Sequence, residues 1–203
     1  MKRFIFATAK YESGDWESAP NLPAALLDLM AKYTTIDCAP AGVIVELGSE
    51  ELFEYPFVWL TGHFPVRFTE RERTNLRRYV DRGGFFVIDD HNHDIEGAFH
   101  LSVVEEINRT FGPLETVPND HEIYTCFFEF EDGPPTTSHE LNGWGDQLIH
   151  EELFAITRNG RIGLLYSNKD YSSEWDLRPE TKRFMSLDPT RFGLNLIVYA
   201  LTR

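Results

Sequence analysis

Residues 57–90 read FVWLTGHFPVRFTERERTNLRRYVDRGGFFVIDD, and this stretch decides the fold. Phe57–Thr61 is an unbroken apolar run, as expected of a strand buried on both faces of a parallel sheet. Thr69 opens the clearest helix in the chain, with Glu72 completing a T-x-x-E capping box. Leu76, Tyr79 and Val80 give that helix its apolar face, and Gly83-Gly84 ends it. Phe85–Ile88 is another wholly apolar strand and runs into Asp89-Asp90. A strand, a helix and a strand of this kind predict a parallel pair joined by a right-handed crossover.

The alternation extends outward. Phe4–Ala9 and Val43–Leu47 read as strands. Between them, Asn21 and Pro23 start a helix carrying Leu22, Leu26, Leu29, Met30 and Tyr33 at helical spacing. A further helix fits Gly97–Phe111, and Phe127–Phe130 reads as a short strand. Leu153–Ile156 and Ile162–Tyr166 flank Asn159-Gly160, the signal of a type I′ hairpin. The last helix runs from Pro189 to Leu201. The pattern predicts an α/β, flavodoxin-like three-layer sandwich with a mainly parallel, doubly wound sheet. One domain spans 1–203, with polar excursions near 131–150 and 167–188. In that topology the strands ending at Ala9, Thr61 and Ile88 are neighbours, and ligands bind beyond their carboxyl ends.

The chain has 203 residues, of which 42% are hydrophobic, including 16 Phe, 8 Tyr and 4 Trp; disorder is therefore excluded as the main state. With 19 basic against 33 acidic residues the net charge is -14, so nucleic acid and anionic membranes are poor partners. No apolar run is long enough for membrane insertion. Cys38 and Cys126 form no C-x-x-C; free thiols are the favoured reading and one disulfide stays open. Phe4–Ala9 is shorter than the apolar core of a signal peptide, roughly seven to fifteen residues. The expectation is a cytoplasmic chain, or an exported or periplasmic one where a leader has been removed.

Four strand ends carry residues capable of chemistry: Tyr11, Asp15 and Trp16; Gly62-His63; Asp89 through Asp94; and Asn168 with Asp170. His63, after a glycine that lets the backbone approach a ligand, suits a general base, a metal ligand or a structural hydrogen bond equally. Asp89-Asp90-His91-Asn92-His93-Asp94 offers oxygen and imidazole ligands for a divalent metal of the Mn, Fe or Zn type. No complete metal motif is present, and a solvated loop with one Asp capping the next helix accounts for the run better. Asp89 and Asp90 nevertheless need a compensating cation, donor or proton. His63 is the nearest such cation by topology, and backbone N–H groups near Gly97 are the alternative. Trp16, Trp175 and Tyr11 suit stacking on a sugar ring, although packing over the core is the commoner role of such residues. His121 stands alone beside Asp120, and His139 and His150 read as surface residues. Dinucleotide, P-loop and G-x-S-x-G motifs are absent, and no other cofactor is indicated.

YESGDW, ELFEYPFVWLTGHFPVRFTERERTNLRRYVDRGGFFVIDD, DHEIY and GLNLIVYAL together resemble the bacterial domain-of-unknown-function 4159 family. The resemblance runs from about Phe4 to the C-terminus. It implies the class I glutamine amidotransferase-like superfamily, with ThuA-like relatives, and hence the same sandwich. It does not imply amidotransferase activity, because those enzymes use a Cys on a strand-to-helix elbow, and FFVI runs instead into Asp89-Asp90. Gene neighbourhood in the family implies a MoxR-type AAA ATPase system as a partner. Two readings result. One is a binding or accessory module holding a small polar ligand or a partner protein. The other is a hydrolase, metal-assisted or not, acting on a carbohydrate-like substrate through His63 and Asp89 or Asp90, with His121 as a further candidate. The want of a complete catalytic signature favours the first.

Overall fold

The computed structural model describes residues 3–176 and 187–203, so much of the excursion expected at 167–188 lies outside the described residues. β1 (Ala7–Lys10), α1 (Leu22–Tyr33), β2 (Val43–Glu46), β3 (Phe57–Gly62), α2 (Glu70–Asp81) and β4 (Phe85–Asp90) form the first half. α3 (Ala98–Phe111), β5 (Glu115–Thr116), α4 (Ser138–Leu141), β6 (Phe154–Arg158), β7 (Arg161–Ser167), α5 (Tyr171–Trp175) and α6 (Leu187–Thr202) follow. Among the described residues the sheet has seven strands in the order β2-β1-β3-β4-β7-β6-β5. The first five are parallel; β6 and β5 join them antiparallel.

Residues 57–90 pair as predicted. Phe57 lies opposite Phe85 in parallel register, which sets Thr61 beside Asp89 and Gly62 beside Asp90. Every residue of β3 and β4 is buried, because helices cover both faces. Strand side chains alternate, so Phe57, Trp59, Phe85 and Val87 pack with α1, α5 and α6. Val58, Leu60, Phe86 and Ile88 pack with α2 and α3. Thr69 caps α2 with the full reciprocal box. Asn159 and Gly160 both adopt positive φ, 53° and 77°, as a type I′ turn between β6 and β7 requires.

Three expectations need correction. Phe127–Phe130 is not a strand: Asn195 of α6 takes Phe128 N–H and donates to Phe128 O, so this backbone is satisfied without a ladder. The first strand is shorter than Phe4–Ala9, with Phe4 making only an isolated parallel bridge to Cys38. The excursion near 131–150 contains α4, capped by a second reciprocal box between Thr137 and Glu140. Cys38 and Cys126 are both free.

Candidate functional site

The strands ending in β1, β3, β4 and β7 deliver their following residues to one rim. Gly62 lets two of these ends meet: a Cβ there would overlap the Tyr11 hydroxyl and come within 2.8 Å of Asp15 Oδ1. Tyr11, buried, donates to Thr61 O at 3.2 Å. Asp15 Oδ1 accepts from the backbone N–H of His63 at 2.8 Å and of Phe64 at 3.2 Å. Its Oδ2 lies 2.6 Å from His63 Nδ1. Burial works against the charged form of Asp15, but these bonds prevail and hold its carboxyl below the usual range.

Exposed His63 stacks on His91, with ring centroids 4.3 Å apart and planes 21° from parallel. Burial lowers the affinity of His91 for a proton, and its buried Nδ1 has no hydrogen-bond partner among the described residues. His91 Nε2 lies 3.8 Å from Asp170 Oδ1, and Asp170 Oδ2 lies 2.6 Å from His139 Nδ1. Burial disfavours charge on His139, yet Asp170 raises its proton affinity overall. Asp170 itself caps α5 from a left-handed conformation, φ 57°, and accepts Ser173 N–H at 3.1 Å. A non-glycine residue held there is strained, which the surrounding contacts must over-determine. The rim thus carries a row of acid, base, base, acid and base: Asp15, His63, His91, Asp170 and His139.

Asp89 and Asp90 leave β4 on opposite faces, as successive strand residues must. Asp89 is fully buried, and its two oxygens accept the N–H groups of Tyr171 at 3.2 Å and Ser172 at 2.7 Å. Burial, then the Asp170 charge, pushes it up to about 8. The compensating donors expected from His63 or from near Gly97 therefore come from α5, since His63 is engaged by Asp15. Asp90 accepts Asn92 N–H at 2.9 Å and Asp94 N–H at 3.4 Å, and burial raises it to about 7.

A second cluster lies beside the first. His93, Asp146 and His150 offer ligand atoms all within 4.8 Å of one another. Asn168 reaches this cluster, with its O 2.6 Å from His93 Nδ1 and its Nδ2 3.3 Å from the His150 ring nitrogens. Alternate residues of the β4 loop serve the two clusters, His91 the first and His93 the second. The β7 loop divides in the same way between Asp170 and Asn168.

Tyr11, Asp15, His63 and Asp170 thus come together, with Asp89 and Asp90 beneath them and Asn168 alongside. Trp175 does not reach the rim: it is fully buried, 4.9 Å from Trp59 and stacked on Tyr171, so packing accounts for it. His121 caps a 3-10 turn (Glu122–Tyr124) and packs on Tyr199, whose hydroxyl meets Ile162 at the opposite end of β7. Half-buried Trp16 lines a groove with Thr8, Pro23 and Ile44 beside β1 and β2. Another groove of about 510 Å³ opens beyond β1 and β2, lined by Lys10, Tyr11, Glu46, Arg71 and Glu72. His139 and His150 are not surface residues but half-buried, bonded ones. The T-x-x-E box at Thr137–Glu140 was the sequence signal that this segment is ordered.

Fold and rim define an α/β domain whose histidines and carboxylates gather where parallel strands end. The chain belongs to the family described as Domain of unknown function (DUF4159), whose model matches residues 5–201. A search of curated proteins finds no match.

Proposed function

We propose that this domain binds a small polar ligand at the C-terminal rim of its sheet, over His63, His91, His139 and Asp170. The observation that carries the reading is the buried, unpartnered Nδ1 of His91 beneath an exposed His63. A buried polar atom without a partner is destabilising, and a ligand hydroxyl or anion would relieve it. The parallel order β2-β1-β3-β4-β7 supports a flavodoxin-like three-layer sandwich and, with the sequence resemblance, the glutamine amidotransferase-like superfamily. Cysteine chemistry does not fit. Burial raises both thiols, Cys126 to about 11, and both lie far in sequence from the rim strand ends. In this reading the divalent metal suggested by the DDHNHD run belongs to His93 with Asp146 and His150. Among the described residues neither Asp89 nor Asp90 joins such a group of ligand atoms. A partner protein, including a MoxR-type ATPase, would meet the same rim.

Histidine ring NMR tests the binding reading, with a panel of mono- and disaccharides and inorganic phosphate as probes. At least one probe should shift the His63 and His91 signals together, and His63→Ala should abolish the response at His91. A panel that leaves both rings unmoved sinks the reading. The Asp15–His63 pair favours a second reading, hydrolysis of a carbohydrate-like substrate. A carboxylate on Nδ1 orients the ring so that Nε2 can take a proton from water. Turnover of 4-nitrophenyl glycosides, lowered roughly 10²–10⁴-fold by His63→Ala, would support it.

A further inference from the structure

We propose that His93, Asp146 and His150 form a closed site for one divalent cation of the zinc class, independent of the rim. The hydrogen-bond accounting of His93 points there first. Its Nδ1 lies 2.6 Å from Asn168 O, an acceptor, so this nitrogen donates. Its Nε2 faces Leu148 O at 3.0 Å and Asp146 Oδ1 at 3.4 Å, both acceptors as well. Something positive must lie between them. A second proton would satisfy Nε2 alone, whereas a cation also uses the His150 ring, whose Nε2 is 2.9 Å from Asp146 Oδ2. A histidine that donates one N–H to a backbone carbonyl and turns the other nitrogen inward is the usual posture of a metal ligand.

Tetrahedral bonds of about 2.0–2.1 Å hold ligand atoms roughly 3.3 Å apart. His93 Nε2 is near that spacing from Asp146 Oδ1 at 3.4 Å and Leu148 O at 3.0 Å, and the ligand atoms of the three side chains lie within 4.8 Å of one another. Two imidazoles, one carboxylate and the Leu148 carbonyl supply borderline and hard donors, which suit Zn²⁺ before Ca²⁺ or Mg²⁺. Side-chain exposures of 1% for His93, 8% for Asp146 and 14% for His150 mark a closed, structural site. The backbone is held for it: His93 has φ 51°, and Gly145, at φ 61°, packs so closely that any Cβ would overlap the His93 carbonyl. The ion would clamp residues 145–150 onto the ends of β4 and β7.

Untagged protein purified without chelator should carry one equivalent of metal by mass spectrometry. After chelation, ZnCl₂ should raise its melting temperature by several degrees. Asp146→Asn, which keeps an acceptor for Leu148 N–H, should lose both the ion and the shift, as should His150→Ala. Co²⁺ should give the intense visible bands of four-coordination. The proposal is overturned by a folded, metal-free protein indifferent to ZnCl₂. It is equally overturned if an ion survives Asp146→Asn and His150→Ala but is lost in His63→Ala or His139→Ala.

Discussion

Asp89 and Asp90 are neighbours in the chain, yet each reaches a different half of the core. Both are pushed up by burial, to about 8 and about 7, against roughly 4 in an unfolded chain. Between those values the native state holds protons that the unfolded chain has released. The stability they contribute is therefore complete below about pH 4 and is lost as pH rises through 7 and 8. Asp15 and Asp146, held below the usual range, act in the opposite sense and weaken the fold as pH falls through their depressed values. Stability should peak on the acid side of neutrality. Urea unfolding at pH 5 and pH 8 checks this, and Asp90→Asn should flatten the decline by on the order of 1–3 kcal/mol. An unchanged slope in that variant would remove Asp90 from the account.

Among the elements, α2 joins sequence to site most directly. Its capping box does more than close a helix end. Glu72 Oε2 accepts Thr69 N–H at 2.8 Å, while Oε1 accepts Glu12 N–H at 3.0 Å from the loop that carries Asp15. This is why a glutamate can be buried there. Thr69→Ala should destabilise the protein by about 1 kcal/mol, the ordinary worth of an N-cap. Glu72→Ala should cost more, because it also frees the Glu12 N–H, and it should broaden the His63 signal. Chemical denaturation of the two variants, with histidine NMR on the second, separates the helix end from the loop it restrains.

Across the whole molecule, the excursion after β5 is fastened to the sheet by a buried ion pair. Lys169 Nζ donates to Glu140 Oε1 at 2.7 Å and also to His150 O, and both side chains are fully buried. Burial lowers the proton affinity of Lys169, and Glu140 opposes that pull. Removing one partner strands a charge, so Lys169→Met should cost roughly 3–5 kcal/mol in a denaturant titration. Adding Glu140→Gln removes that charge while keeping the cap to Thr137 N–H, and should restore part of the loss. No recovery in the double variant would mean that packing, not charge, sets the cost. Among the described residues no helix is long and apolar enough to cross a membrane.

The sequence by itself determined what local rules control. Two wholly apolar strands could only be buried on both faces, the T-x-x-E box fixed where α2 begins, and Asn159-Gly160 fixed a hairpin. Parallel neighbours ending at one rim then brought His63 and Asp15 together, 2.6 Å apart. The reach of the loops was decided only in three dimensions. His139, Asp146 and His150 come from a segment without periodicity, and what places them is contact with distant residues: Asp170, His93 and Asn168. His91 and His93 stand two positions apart in one polar run, and nothing local says that they serve different clusters. For Trp175 the sequence leaves open a ligand platform or core packing, because composition cannot tell an aromatic on a rim from one beneath it. Side-chain partners that lie far apart in sequence are set by how the chain closes on itself, and that is a property of the tertiary fold.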